Sequence, residues 1–214
     1  MILFLDTVSP LPVFSIIKEN KIIQSIQILN KNSKNISDCI VPAYLTLQNQ
    51  LKINDKIKKL IVCTGPGSFT ALRVGIAFMY GLSVSKKISL IGISCVDLLQ
   101  FAVPKLNEKT TLMIICSSND QNFTATSSFN ENGKYLINKI DAKLHSTSID
   151  FNQYSHCISN SKLSSNIIKI LGLHICRQVN LTEIIRSNLN NVLILPMKSI
   201  IEPIYISDNK IFNS

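Results

Sequence analysis

The chain has no C-x-x-C pair and no histidine at ligand spacing from a cysteine, which excludes the usual structural zinc sites. Its longest uninterrupted apolar stretches run to about five residues, far below the ~18 needed to span a bilayer. The opening MILFLDTV lacks a basic leader and meets Asp6 too early for a signal peptide. Charge is scarce too: charged residues are 16% of the chain, where about 25% is usual. Hydrophobic residues reach 46%, which excludes intrinsic disorder. The 214 residues suffice for one large domain or two small lobes. The expectation is a cytoplasmic globular protein, with no membrane contact and some surface covered by a partner.

The net charge is +9, and two readings compete. A basic surface attracts nucleic acid phosphates without sequence preference. The lysines, however, come in ones and twos (Lys52, Lys56, Lys58, Lys59, Lys86, Lys87), with no arginine-rich stripe and no interleaved aromatics. A nucleic-acid binder usually shows a clustered basic face, so an evenly basic chain is the simpler reading. The six cysteines (Cys39, Cys63, Cys95, Cys116, Cys157, Cys176) lie far apart, mostly inside apolar runs such as LIVC and LMIIC. They read as buried free thiols in a reducing compartment.

Patterning predicts strands over 2–5, 13–17 and 22–29, with a tight hairpin at Glu19-Asn20-Lys21, since Asn tolerates positive φ. Ser37 is placed to cap a helix through about Leu51, with Pro42 near its first turn. Residues 60–63 form a short strand of the kind buried on both faces. A turn TGPGSF, an apolar helix to about Ser85, a strand over 88–93 and a helix from Ser94 to Val103 follow. The polar PKLNEKT stretch (104–110) marks a lobe boundary. Beyond it lie predicted strands over 112–116, 122–129 and 134–140, the last two joined by a turn at 131–133. A strand over 154–158, helices over 163–171 and 181–189, and an extended tail IEPIYI complete the pattern. Each half opens with three strands and then turns to helices, which argues for two related α/β lobes, 1–105 and 106–214, the last segment packing back on the first.

The segment Thr64 to Phe78, TGPGSFTALRVGIAF, is less generic. A strand runs into Gly65-Pro66-Gly67, and Ser68 stands at an N-cap, a natural anion cradle. It has no Walker lysine, Thr70 occupies the third glycine position of a dinucleotide loop, and Pro66 removes a donor. A structural tight turn is the competing reading. In the following helix Phe69, Leu72, Ile76, Phe78, Met79 and Leu82 wrap most of the circumference, so it must be covered on more than one side. Either the monomer covers both sides, or one side is a docking surface. Gly67, Ala71 and Gly75 form a row without bulk that lets a neighbour approach. Asp6, ending the first strand, either holds magnesium through water or is a solvated strand-end carboxylate.

TGPGSFTALRVGIAFMYGLS resembles the signature of the TsaB (YeaZ) proteins, small paralogues of the TsaD threonylcarbamoyltransferase. The family stretch reads GPGSFTG-[LV]-R-[IV]-G, and only Ala71 departs from it. FLDTVSP, SDCIVPAYLTL and IEPIYI are similar to the family's IDTS, HSExLLPxIxxLL and PxYLR. The family's first-helix His is Ile36 here, its DAR falls on Cys116-Ser117-Ser118, and a nearby aromatic is Phe123. The metal-binding histidine pair of TsaD has no counterpart; His145, His156 and His174 read as loop or packing residues.

The resemblance implies a two-lobed actin/Hsp70/sugar-kinase-like (RNase H-like) α/β fold, its mixed sheets flanked by helices. It implies a scaffold without catalytic residues or metal, binding a TsaD-type transferase through a helical bundle and recruiting a TsaE-type ATPase. Such a subunit meets tRNA through the complex, has no cofactor of its own, and would see ATP or ADP only at a subunit interface. An apolar face left without its partner often self-associates, so a homodimer is expected of the free chain. The contacts implied are Val41, Leu45, Phe69, Leu72, Arg73, Ile76 and Tyr80, with Asp6, Gly65, Gly67 and Ser68 as a vestigial phosphate site. The alternative is a stand-alone actin-like ATPase or phosphotransferase using Asp6 and the Gly65 turn, or a peptidase-like enzyme. No Ser–His–Asp or Cys–His set supports it.

Overall fold

The computed structural model describes residues 1–29, 35–53, 55–103, 110–117, 122–129, 135–142, 154, 156–165, 167–168, 176–195, 200–207 and 210–211. The first sheet takes β1 (Ile2–Asp6), β2 (Val13–Lys18), β3 (Lys21–Gln27), β4 (Lys59–Cys63) and β5 (Leu90–Ile93) in the order β3-β2-β1-β4-β5. β1, β2 and β3 are antiparallel, while β1, β4 and β5 are parallel. The second sheet takes β6 (Thr111–Cys116), β7 (Asn122–Phe129), β8 (Tyr135–Ala142), β9 (His156–Ser159) and β10 (Cys176–Gln178), ordered β10-β9-β6-β7-β8. It repeats the same design: an antiparallel meander, then two parallel additions beside its first strand. A short pair, β11 (Ile206–Ser207) and β12 (Lys210–Ile211), lies near the end.

Five helices accompany these strands among the described residues: α1 (Ile36–Leu51), α2 (Phe69–Lys86), α3 (Cys95–Gln100), α4 (Leu181–Ser187) and α5 (Leu189–Leu193). Alternation along the strands explains the layering. Leu3, Leu5, Leu60 and Val62 face a core shared with Tyr44, Leu47, Ile76 and Met79 of α1 and α2. Ile2, Phe4, Ile61 and Cys63 face the opposite way, into a core with Val96 and Leu99 of α3, Met113 and Ile115 of β6, and Ile184 and Ile185 of α4. One apolar cluster therefore joins the two sheets. The run KLIVC has no polar face because both its faces are buried.

The hairpin at Glu19-Asn20 forms with φ of 51° and 59°, the left-handed pair that matches strand twist. Several boundaries differ from the sequence expectation. α1 starts before Ser37: Asn35 holds the extended N-cap conformation, and the Ser37 hydroxyl bonds Asp38 at 3.2 Å instead. Pro42 thus falls in the second turn, on an exposed side where water can hydrate the carbonyl left unpaired. β5 begins at Leu90, β9 spans 156–159, and α3 ends at Gln100, its last residues continuing only as turns through Val103. The 181–189 helix divides at Asn188 into α4 and α5. The boundary stretch 104–109, the 131–133 turn, most of the 163–171 helix, His145 and His174 lie outside the described residues.

Candidate functional site

Two regions absorb the residues singled out above. The first is the junction where both sheets and the tail meet. Asp6 is buried rather than solvated, which corrects the strand-end expectation. Its Oδ1 accepts the Val8 amide at 2.8 Å and the Ser9 amide at 3.0 Å, so the carboxylate holds the turn leaving β1. Burial raises its pKa above the ordinary carboxylate value, while the Ser9 hydroxyl and the two amides oppose that rise.

The glycine turn beyond β4 is packed from three sides. Gly65 has φ +114°, a conformation that disfavours a side chain, and a Cβ there would lie 2.9 Å from the Ile204 carbonyl. Its own carbonyl accepts the Cys95 amide at 2.7 Å. Gly67 rests on Val8 and Ser117. Ser68 occupies the N-cap of α2 without capping through its hydroxyl; its amide donates to Ser117 Oγ at 2.9 Å, and both residues are buried. The vestigial phosphate set therefore converges, through Val8, on a place filled by the chain's own groups.

Further hydrogen bonds close the junction. Asn160 donates to Ser9 Oγ at 3.0 Å and to the Cys116 carbonyl at 2.9 Å, while its Oδ1 accepts the Cys116 amide at 2.7 Å. Ser15 and Thr182 share a hydrogen bond of 3.1 Å. Sequence reasoning missed Asn160 and Thr182, which no motif surrounds, and met Ser117 only within the stretch that replaces the family's DAR. Among the described residues, no three His, Cys, Asp or Glu side chains come together as metal ligands.

The second region is the outer side of α1 and α2. The helices pack together through Tyr44 and Phe78, whose ring centroids are 5.4 Å apart, with Phe14 beneath both. Their buried residues are Ile36, Ile40, Ala43, Tyr44 and Leu47 on α1, and Ala71, Leu72, Gly75, Ile76 and Met79 on α2. Leu72 and Ile76 thus belong to the cores, a correction to the contact set: helical spacing turns them toward the sheet. The small-residue row also faces inward, because a Cβ on Gly75 would lie 2.7 Å from Thr7 Cγ2. The neighbour approaching it is the protein's own β1 end.

Opposite that side, Val41 and Leu45 are 47% and 48% exposed, Tyr80 is 45% and Val84 is 67%. Phe69 is exposed as well, but only in part free: Arg73 lies 3.9 Å over its ring and donates from Nε to Tyr205 Oη at 2.9 Å. Tyr205 stacks beside Phe69 with centroids 4.7 Å apart. The tail reaches this point because the Ile204 amide bonds the Thr64 carbonyl at 2.7 Å and Ile201 fills the space over Gly92. Val84 is a member of the open stripe that sequence reasoning missed, although its i, i+4 spacing from Tyr80 could have revealed it.

Two like-ordered mixed sheets with flanking helices define a member of the actin-like, sugar-kinase-like α/β class. Residues 28–140 match the family model for TsaD, tRNA N6-adenosine threonylcarbamoyltransferase, and the chain belongs to that family. It is similar to YeaZ from Pseudomonas aeruginosa at 12% identity, with a TM-score of 0.62, covering 96% of this chain and 99% of that one. A structure described as an uncharacterized protein with similarity to peptidase YEAZ from Pseudomonas aeruginosa matches at 11% identity, with a TM-score of 0.60 and the same coverage. No curated protein sequence matches significantly. The family places the chain among proteins related to tRNA threonylcarbamoyladenosine biosynthesis. No helix among the described residues is long and apolar enough to cross a membrane.

Proposed function

We propose that this chain is a non-catalytic partner subunit of the tRNA threonylcarbamoyladenosine-synthesising machinery, docking a TsaD-type transferase through α1 and α2. The observation that carries the reading is the set of exposed apolar side chains Val41, Leu45, Tyr80 and Val84 on two helices that pack on the first sheet by their opposite sides. Apolar side chains repeated on adjacent helices bind a partner by removing that surface from water, at about 25 cal/mol per Å². Arg73, fixed by Phe69 and Tyr205, frames one end of the stripe.

Close packing around the Gly65 turn is the observation that favours a partner role over phosphate transfer. A side chain at Gly65 would meet the Ile204 carbonyl and one at Gly67 would meet Val8 and Ser117, so the chain's own groups pack closely around this turn. On this reading ATP or ADP binds only between subunits, a TsaE-type ATPase joins the assembled pair, and the complex works in the cytoplasm. Free chains cover the same stripe by pairing as homodimers.

Coexpression with the transferase of the same organism, followed by size exclusion at micromolar concentration, tests the proposal. Co-elution that Leu45→Asp and Tyr80→Asp abolish, with melting temperatures unchanged, is the expected result. Separate elution of the wild-type proteins would refute it.

A further inference from the structure

A hollow of about 760 Å³ opens at the end of the first sheet away from the lobe junction. Lys58, Lys86 and Lys87 line it with Ser85, Ser89 and Asp55, and with Ile57 and Ile88. Lys58 is far in sequence from Lys86 and Lys87, and the parallel pairing of β4 and β5 brings it to them. Lys58 directly precedes β4, Lys86 and Lys87 end α2 ahead of β5, and the Leu60 amide bonds the Ser89 carbonyl at 3.0 Å where the strands start. The β1 register adds more charge to the same end: Lys59 lies opposite Ile2, whose other neighbour, Ile17, adjoins Lys18.

Glu19 pairs with Lys18 at 3.3 Å, and Asp55 is the carboxylate of the lining. Lys58 and Lys87 are exposed, and among the described residues neither side chain has a carboxylate at ion-pair distance. Of the carbonyls ending α2, which would repel an anion, those of Ser83 and Val84 are already hydrogen-bonded. The Lys87 amide bonds the Ser83 and Val84 carbonyls, and the Ile88 amide bonds that of Ser83 at 3.0 Å. None of the exposed large hydrophobic side chains lines the hollow. A membrane-binding face would need such residues to insert, whereas a polar, lysine-rimmed hollow suits phosphates on a nucleic acid backbone.

We propose that this end of the first sheet is an RNA-backbone anchor, in which Lys58 and Lys87, beside Lys86, take successive phosphates of the tRNA undergoing modification. The proposal rests on the tRNA-modification reading above, and it assigns the chain a contact with RNA on the side opposite the lobe junction.

The test uses the full chain, unmodified tRNA and fluorescence anisotropy over a salt series. Each phosphate neutralised contributes roughly 0.7–0.9 to the slope of log K against log salt. The double variant Lys58→Ala/Lys87→Ala should therefore lower the slope by about 1.4–1.8 and weaken binding about tenfold or more at low salt. Lys162→Ala, an exposed lysine of the other half, should change the slope by less than half that. An unchanged slope in the double variant, or an equal effect of Lys162→Ala, overturns the anchor. So does loss of binding to phosphatidylserine vesicles with tRNA affinity untouched, which would assign the hollow to lipid. Co-elution of the same variant with the transferase separates the two readings. Pairing without a slope change defeats the anchor alone; a slope change without pairing defeats the docking reading alone.

Discussion

The Ser68 amide donates to the Ser117 hydroxyl at 2.9 Å, tying the start of α2 to the residue that follows β6. Both residues are buried, so this bond spans the two sheets where water cannot replace it. Ser117→Ala leaves a buried amide without its acceptor, a change that costs about 1–3 kcal/mol. Urea denaturation of the variant should show that loss, whereas Ser37→Ala on the exposed start of α1 should stay within about 0.5 kcal/mol of wild type.

Burial divides the α1 and α2 residues into two mutational classes. Leu72→Ala and Ile76→Ala empty packed positions and should each cost about 2–5 kcal/mol. Leu45→Ala and Val84→Ala change exposed side chains and should leave stability within about 0.5 kcal/mol. Thermal melts of the four variants check this directly. A large loss at Leu45 or Val84 in the isolated chain would mean the stripe is already covered, by self-association, at the concentration used.

Glycines in the inward row differ in what surrounds them. A Cβ at position 75 meets Thr7 Cγ2 at 2.7 Å and Thr7 Oγ1 at 2.9 Å, closer than packing permits. Gly75→Ala should be destabilising, because overpacking costs about 1–3 kcal/mol against a helix-propensity gain of about 1. At Gly67 the same atom meets its neighbours at 3.5 Å, an ordinary contact, so Gly67→Ala should be nearly neutral. Chemical denaturation ranks the pair.

Asp6 makes stability depend on pH in an unusual direction. Its folded pKa is raised by burial above the unfolded value near 3.8, so the folded state holds the proton more tightly. This contribution is complete below the unfolded value and is lost as pH rises through the folded one. Asp6→Asn keeps an oxygen for the Val8 and Ser9 amides and removes the titration. Unfolding free energies measured from about pH 3 to 8 should show wild type gaining on Asp6→Asn toward acid, within a window opening near the ordinary carboxylate pKa. Parallel curves would show that Asp6 is not the group responsible.

The cysteines separate by environment. Cys157 and Cys176 stand opposite each other on β9 and β10 with sulfurs 2.7 Å apart, the Cys157 thiol donating to Cys176. That donation holds Cys176 below the ordinary thiol value and Cys157 above it. Burial pushes the Cys116 thiol up to about 11 and raises Cys95 as well. Iodoacetamide at neutral pH should therefore label Cys176 well ahead of Cys157, Cys116 and Cys95, as peptide mass mapping would show. Equal labelling of Cys157 and Cys176 would contradict the donor direction.

Apolar runs without alternation, as in KLIVC and TLMIIC, already specified strands buried on both faces, and Asn20 specified the left-handed hairpin. The GPGSFTALRVG segment was enough to identify the family, and within it Gly65, at φ +114°, answers a local backbone demand. Which side of α2 stays open was beyond it. A helix apolar all round has no preferred face until β1, β4 and the tail cover Leu72 and Ile76 and leave Tyr80 and Val84 outside. The same holds for charge: lysines spread in ones and twos became a single basic end only when parallel strand starts were set side by side. Local chemistry determines the elements and the turn, while burial, contact and the summing of charge depend on neighbours distant in sequence that only the folded chain brings together.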